Sequence, residues 1–396
     1  MVVRAVREAR NMVKKLADQE KQQSRQLWEE IFTEDSREFL DYYYKYKLKE
    51  NEIFGSFSGE TLVAMLQLNP YKLCVGTQEA DSYYIVAVAT KEKYRHQGRM
   101  AQLLKKAMLE AEGQEIPFVF LMPAKEDIYK PFGFVTVYGR KDYRFTSECL
   151  SENNTLFQDI RKKRYDIELE EMTEKDLEKG SVITELVKYS QRKLKEKYQV
   201  FAKRDEQYYI RLMKEQKSQR GGILLARDSS GNEICGYCFL AREDTVQLRE
   251  LLCDEGREMD ILREIWKKYG HYGEIDILGA EFSKNCLPFA QIFPCIMIRI
   301  TDICRFTKLI PLQAGEVQWL TQNPVIAIKD SFIQRNQGVY RVSVERQGNN
   351  FFAKLEKEQN WIEDIGKSGN DIPGFTVEQI QKKSFEKLKI FLNEVV

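Results

Sequence analysis

The sequence predicts a mixed α/β (α+β) chain of three consecutive blocks, residues 1–150, 151–292 and 293–396. Three observations carry this reading. An apolar run, Tyr83 to Thr90, leads into a basic turn with one glycine, and then into a stripe at Met100, Leu103, Leu104, Ala107, Met108 and Ala111. That is the order strand, turn, amphipathic helix, with the helix's back on a sheet. The same order of elements recurs between Tyr165 and Tyr269, and from near Cys295 short apolar strands alternate with helical runs up to an apolar end, Ile390-Phe391-Leu392. A chain of 396 residues has the length for two or three domains with sizeable cores.

In the first block, Met12–Leu16 reads as a strand, Asp18 caps a helix through Phe32, and Glu34-Asp35-Ser36 introduces a second helix carrying Phe39, Leu40, Tyr43 and Tyr44. Glu29, Glu30, Glu34, Asp35 and Asp41 give this helical pair an acidic edge. Strands are expected at Ile53–Phe57, Thr61–Leu68 and Tyr71–Thr77, divided by Ser58-Gly59-Glu60 and by Asn69-Pro70 as turns. After the central strand and its helix, Pro117–Met122 is the next buried strand, Asp142–Thr146 closes the sheet, and 147–163 is a linker.

The second block is expected to hold strands at Tyr165–Leu169, Gly222–Arg227, Glu233–Ala241 and Val246–Cys253, with helices over 174–179, 183–199, 205–217 and 260–269. Where the first block has its cationic turn, this one has Asp254-Glu255-Gly256-Arg257-Glu258, whose carboxylates would repel an anion. The third block is expected to open with the strand Ile296–Ile300 and a helical run at 302–309. Strands at 325–330, 338–345 and 351–355 and a helix after Pro373-Gly374-Phe375-Thr376 complete it.

Composition excludes several classes. The 62 basic and 61 acidic residues balance, so net charge points to no nucleic-acid or membrane-surface partner. No apolar run approaches the roughly 18 residues of a membrane span, and the N-terminus lacks the apolar core of a signal peptide. Eight cysteines are scattered without a disulfide rhythm, which suits a reducing cytoplasm. Strand alternation puts Cys235 and Cys238 on opposite faces as structural thiols, and with only His96 and His271 no multi-histidine metal site is expected.

The chemistry therefore centres on the basic turn. A helix N-terminus offers unpaired N–H groups and the positive end of the helix dipole, and Gly98 has no Cβ to keep a diphosphate from the main chain. Lys91, Lys93, Arg95 and Arg99 add charge of the right sign. The spacing fits neither the Walker loop nor the dinucleotide fingerprint. Arg95-His96-Gln97-Gly98-Arg99-Met100 instead resembles the acyl-CoA pyrophosphate loop of the GNAT N-acetyltransferases, with Met100 where that family has a small residue. The downstream Ile128-Tyr129-Lys130-Pro131-Phe132-Gly133-Phe134 resembles the same family's aromatic segment after the fifth strand.

Two such blocks, one with the loop and one without, followed by a small α+β block, resemble the Eis-type (enhanced intracellular survival) acetyltransferases. Further anchors are Val86-Ala87-Val88, Met297-Ile298-Arg299-Ile300-Thr301-Asp302 and the end Phe391 to Val396. The resemblance implies tandem GNAT folds with a C-terminal sterol-carrier-like domain, acetyl-CoA as co-substrate without a metal, and a cytoplasmic homo-hexamer. Acceptors would be amines of aminoglycoside, polyamine or lysine type, with the acidic helical edge along the acceptor groove. It implies cofactor contacts at Val86, Ala87, Val88, Arg95, His96, Gln97, Gly98, Arg99 and Met100. Tyr129 would be the general acid, and the α-carboxylate of Val396 the general base. The alternative reading is an acyl-CoA- or lipid-binding protein without turnover.

Overall fold

A computed structural model of the chain describes residues 13–150, 166–230, 232–242, 245–282, 287, 289–358 and 372–394. The first block runs β1 (Val13–Lys15), α1 (Ser24–Ile31), α2 (Arg37–Tyr46), β2 (Glu52–Ser58), β3 (Thr61–Val75), β4 (Gln78–Thr90), α3 (Arg99–Gly113), β5 (Phe118–Leu121), α4 (Glu126–Tyr129) and β6 (Val135–Thr146). Strands β1 to β4 pair antiparallel in sequence order, and β5 joins β4 in parallel, the connection that requires a crossover helix. That helix, α3, buries its predicted stripe against Phe54, Leu66, Tyr83 and Ile85 on one face of the sheet. On the other face α1 and α2 pack Trp28, Phe39, Leu40 and Tyr43. Ser36 caps α2 by accepting from the Phe39 N–H at 3.2 Å.

The second block repeats the plan: β7 (Ile167–Glu171), α5 (Glu174–Lys179), α6 (Ser181–Lys197), β8 (Val200–Ala202), α7 (Glu206–Ser218), β9 (Gly222–Asp228), β10 (Ile234–Arg242), β11 (Val246–Cys253), α8 (Glu258–Tyr269) and β12 (Glu274–Leu278). Again a meander, β9-β10-β11, is followed by a crossover helix and a parallel partner, β12 on β11. The two blocks share one sheet, because β6 extends past β12's register and pairs with it antiparallel from Thr146 to Asp142. This is a mixed α+β fold with the tandem arrangement expected.

Two local readings are corrected. Asn69-Pro70 is not a turn: β3 runs unbroken from Thr61 to Val75, with Pro70 opposite Tyr83 of β4. On its other side β3 pairs with β2 only as far as Leu68 and with β8 only from Leu73, so the missing proline N–H falls in a gap between two partners. Cys235 and Cys238 do not part to opposite faces either. Register shifts on both sides of β10 reset the alternation, and both thiols enter one apolar cluster.

The third block contains β13 (Phe289–Ile300), α9 (Ile303–Phe306), α10 (Ala314–Gln322), β14 (Val325–Lys329), β15 (Gly338–Gln347), β16 (Asn350–Lys357), β17 (Gly374–Thr376), α11 (Val377–Glu386) and β18 (Ile390–Phe391). Strands β14 to β17 form a separate four-stranded sheet in the order β16-β15-β14-β17. Strand β13, which the sequence reading placed at the head of this block, lies in the large sheet instead. It runs antiparallel between β5 and β6, with Ile300 opposite Phe118 and Ile298 opposite both Phe120 and Val135. Strand β18 also leaves its block and pairs parallel with β8. Helix α10 has no counterpart in the sequence reading.

A fragment ending at Leu150 therefore leaves the inner edges of β5 and β6 open where β13 belongs. Such unpaired edges template association. The expected outcome is an aggregating chain without cooperative unfolding; a soluble monomer with a sharp thermal transition would contradict the insertion.

Candidate active site

The site is built where two neighbouring strands part. Pairing of β4 with β5 runs from Tyr83↔Val119 to Ile85↔Leu121 and goes no further among the described residues. Just beyond, the β3 register steps from Gln67↔Val86 to Met65↔Ala89, so Ala87 and Val88 together stand opposite Leu66. Ala87 takes a left-handed conformation, φ 49°, which turns its peptide groups out of the ladder. Val86, Ala87 and Val88 are half-buried in a strand otherwise mostly buried from Tyr83 to Ala89. They present backbone polar groups along the opening between β4 and β5.

The basic turn closes one end of this opening. His96 and Gly98 both have positive φ, 58° and 74°, and Gly98 is the N-cap of α3. A Cβ on Gly98 would meet no atom within 4 Å, so the surface there is open to a ligand, while its φ still disfavours other residues. Left-handed residues at a helix start aim successive N–H groups into one concavity, which suits an anion. Arg95 donates from Nε to the Thr90 carbonyl at 3.2 Å and Gln97 from Nε2 to the Lys93 carbonyl at 3.0 Å, both from exposed positions, with His96 exposed between them. Arg99 points elsewhere. Its side chain is buried, donates to Ser56 Oγ at 2.8 Å, and stacks 5.0 Å from the Tyr94 ring. Met100 packs against the apolar cluster beneath α3. Of the loop's predicted cations, Lys91 is held by Glu30 at 2.5 Å.

Tyr129 ends α4, 7% exposed, its ring edge-on to Phe134 at 5.8 Å, in the cluster that also holds Leu103 and Ile85. Burial alone pushes its hydroxyl up to about 12, so the phenol keeps its proton at neutral pH. The turn after it is fixed from outside. Arg299 Nε donates to the Phe132 carbonyl at 2.9 Å, and Gln381 Nε2 of α11 donates to the Gly133 carbonyl at 3.0 Å. A Cβ on Gly133, φ 79°, would come within 2.8 Å of Glu378 and 3.0 Å of Arg299. The sequence reading had Arg299 only within an anchor motif, with no role, and did not single out Gln381, since the partners of both are carbonyls of distant segments.

On the face opposite α3, a cavity of about 410 Å³ opens between the Trp28–Asp35 segment, Val86 and Ala87, Met122 to Ala124, Arg140 and Cys295. The acidic edge divides here. Glu34 and Asp35 line the cavity, with Asp35 accepting from Trp28 Nε1 at 2.7 Å. Glu29 and Asp41 are ion-paired with Arg25 at the surface, and Glu30 with Lys91. Arg140 is held by Asp142 through two bonds, 2.7 and 2.9 Å. Burial raises the Cys295 thiol to about 11.

The segment after α11 joins the same sheet. Strand β18 is parallel to β8, and β8 is antiparallel to β3, so this segment advances along β3 from Val75 toward Tyr71, the direction of Gln67 and Val86. Asn393 donates to the Leu278 carbonyl at 3.2 Å. Glu394 is buried and accepts from Arg204 at 2.9 Å and from the Tyr208 hydroxyl at 3.2 Å. Arg204 also pairs with Glu250 at 2.6 Å, and Glu250 accepts from Tyr237 at 2.8 Å. Glu250 has φ 55° at a β10–β11 register shift, the same device as Ala87 in the first block, now filled by a carboxylate. Val396 lies outside the described residues.

Comparison with known proteins identifies the domain. Residues 12–137 match the acetyltransferase (GNAT) domain. No curated protein matches the chain. Among solved structures, a conserved protein of unknown function from Enterococcus faecalis V583, described as a probable N-acyltransferase, superposes with a TM-score of 0.72 at 16% identity, over 98% of this chain and 100% of its own. A GCN5-related N-acetyltransferase from Anabaena variabilis gives 0.67 at 14% identity, over 96% and 94%. Eis1 from Mycobacterium abscessus gives 0.62 at 12%, over 95% and 89%. At these identities the likeness is one of fold. The first block is thus similar to the acetyltransferase (GNAT) domain over residues 12–137, and the chain shares the fold of solved GCN5-related N-acetyltransferases.

Proposed function

We propose that the chain transfers acetyl from acetyl-CoA to an amine of a cationic small molecule or lysine-like side chain, aminoglycosides and polyamines included. The observation that carries this is the opening of β4 from β5 beside a glycine-capped helix N-terminus, with a carboxylate-bearing cavity on the far side. The diphosphate sits on the N–H groups around Gly98, Arg99 and Met100, with Arg95, His96 and Gln97 at its rim. The pantetheine arm lies along the free edge of Val86, Ala87 and Val88, and the ammonium of the acceptor enters between Glu34 and Asp35. The amine nitrogen attacks the thioester carbonyl, the C–N bond forms, the C–S bond breaks, and Tyr129 donates its proton to the departing thiolate. With a phenol near 12, donation to a thiolate whose conjugate thiol has a pKa near ~8.5 is uphill and relies on positioning.

The base in this scheme is the carboxylate of Val396, as the family resemblance implies. Support comes from the segment before it, which is clamped at Glu394 and heads along β3 toward Val86. The hexameric assembly and the carrier-like character of the third block belong to the same proposal.

Gly98→Val should give a folded protein, with a loss of about 1–3 kcal/mol from left-handed strain, that binds acetyl-CoA at least about tenfold more weakly; unchanged affinity by calorimetry would remove the loop from the site. Tyr129→Phe should lower kcat about 10²–10⁴-fold at unchanged acetyl-CoA affinity, and full activity would end its role as acid. Two glycines added after Val396 convert its carboxylate to an amide. Thermal stability and acetyl-CoA affinity should persist while turnover in a thiol-release assay collapses, and wild-type turnover would sink the assignment of the base.

A further inference from the structure

The cavity of about 410 Å³ beside the opening of β4 from β5 carries both signs of charge, on different elements. Glu34 and Asp35 come from the turn between α1 and α2. Arg140 comes from β6, where the antiparallel register sets it opposite Phe293 of β13 and brings its guanidinium to 5.9 Å from that ring. Asp142 is the next residue on the same face of the strand, and it accepts from Nε at 2.7 Å and from Nη2 at 2.9 Å. Its carboxylate is buried and does not line the cavity, so it backs the guanidinium and fixes its plane.

Only part of the fork is used. An arginine has five N–H donors in one plane, and Asp142 takes the edge formed by Nε and Nη2. The other edge, Nη1 with the second hydrogen of Nη2, has no hydrogen-bond partner among the described residues. That edge has the geometry to receive another carboxylate through two parallel bonds. Charge narrows the ligand further. Glu34, Asp35 and Asp142 against the single Arg140 leave two negative charges in excess, which a phosphate dianion would increase. A molecule with two amines and one carboxylate answers both signs, and one of amino-acid size suits the volume. We propose that this cavity selects a diamino carboxylic acid of the lysine type, its carboxylate on the open edge of Arg140 and its amines toward Glu34, Asp35 and the strand opening at Ala87. As a statement about the acceptor it rests on the acetyl-transfer reading, and it makes Arg140 a specificity-determining residue. Amines without a carboxylate, polyamines included, then bind less well in spite of their higher positive charge.

Calorimetric titration of the full chain with L-lysine and with lysinamide tests the selection, and thiol release from acetyl-CoA is followed with the same two amines. Lysinamide keeps the size and both amines but lacks the carboxylate, so attraction to acidic residues alone would favour it. Lysine should instead bind about tenfold or more tightly than lysinamide, the value of one charge-assisted hydrogen bond. Arg140→Gln combined with Asp142→Asn leaves no buried carboxylate unpaired. It should weaken lysine about tenfold and not lysinamide, with thermal midpoint and acetyl-CoA affinity as controls for the fold. Equal or tighter binding of lysinamide by the wild type would overturn the selection without need of a variant, and a lysine preference that survives the double substitution would overturn the role of Arg140. Thiol release at equal kcat/KM with both amines would leave acetyl transfer standing and overturn the selection. A preference for lysine that depends on Arg140, with no thiol release from either amine, would support the selection and overturn the acetyl-transfer reading alone.

Discussion

The structure depends on a buried ion pair that no single block could satisfy alone. Arg299 and Asp330 are 0% and 1% exposed in their side chains and lie 2.5 Å apart. Charges taken out of water are costly unless every donor and acceptor is met. Here they are met from three directions: Asp330 also accepts from the N–H groups of Phe332 and Ile333 and from Asn336, while Arg299 serves the carbonyls of Phe132 and Ile300. Leaving one partner of such a pair alone typically costs about 3–5 kcal/mol. The pair thus fixes the small sheet, the inserted strand and the turn after Tyr129 relative to one another. Gln381 reinforces it by accepting from the Ile300 N–H at 2.8 Å and donating to the Gly133 carbonyl. Helix α11 consequently has two faces in use, one against the Tyr129 segment and one lining an apolar cavity of the third block.

A second buried charge cluster does for the end segment what Arg299 does for the centre. One guanidinium, Arg204, holds Glu250 and Glu394, and burial pushes Glu250 up to about 7 in spite of the cation beside it. The second block has the same kind of bulged strand as the first and acidic residues where the first has its cationic turn. Its bulge now carries Glu250, and through Arg204 it anchors a segment that belongs to the third block.

Local chemistry was legible in the sequence wherever a residue acts through its own backbone or its own element. The α3 stripe, the Gly98 turn, the start of α2 at Ser36 and the paired blocks all follow from spacing and propensity. What escaped depends on partners far along the chain. Pro70 reads as a turn unless the gap between β2 and β8 is known. The β13 run looks like any apolar strand, and nothing within it says that its neighbours are Phe118 and Thr136. Cys235 and Cys238 share a face only because of register shifts set by two other strands. For the site, Val86 to Val88 and Tyr129 entered through the family resemblance of their segments, whereas Arg299, Gln381 and Arg204 act on carbonyls or carboxylates that lie remote in sequence.

The insertion of β13 also orders events in time. Strands β5 and β6 are made early, yet the strand between them follows only after the whole second block has been synthesised, 176 positions after Leu121 by the register with Met297. At roughly 5–20 residues per second on a ribosome, the acetyltransferase sheet stays split for about ten seconds or more. Contacts of such sequence separation are slow to form even in a complete chain. The first domain to emerge is therefore among the last to close, and its nascent form carries two open strand edges until then.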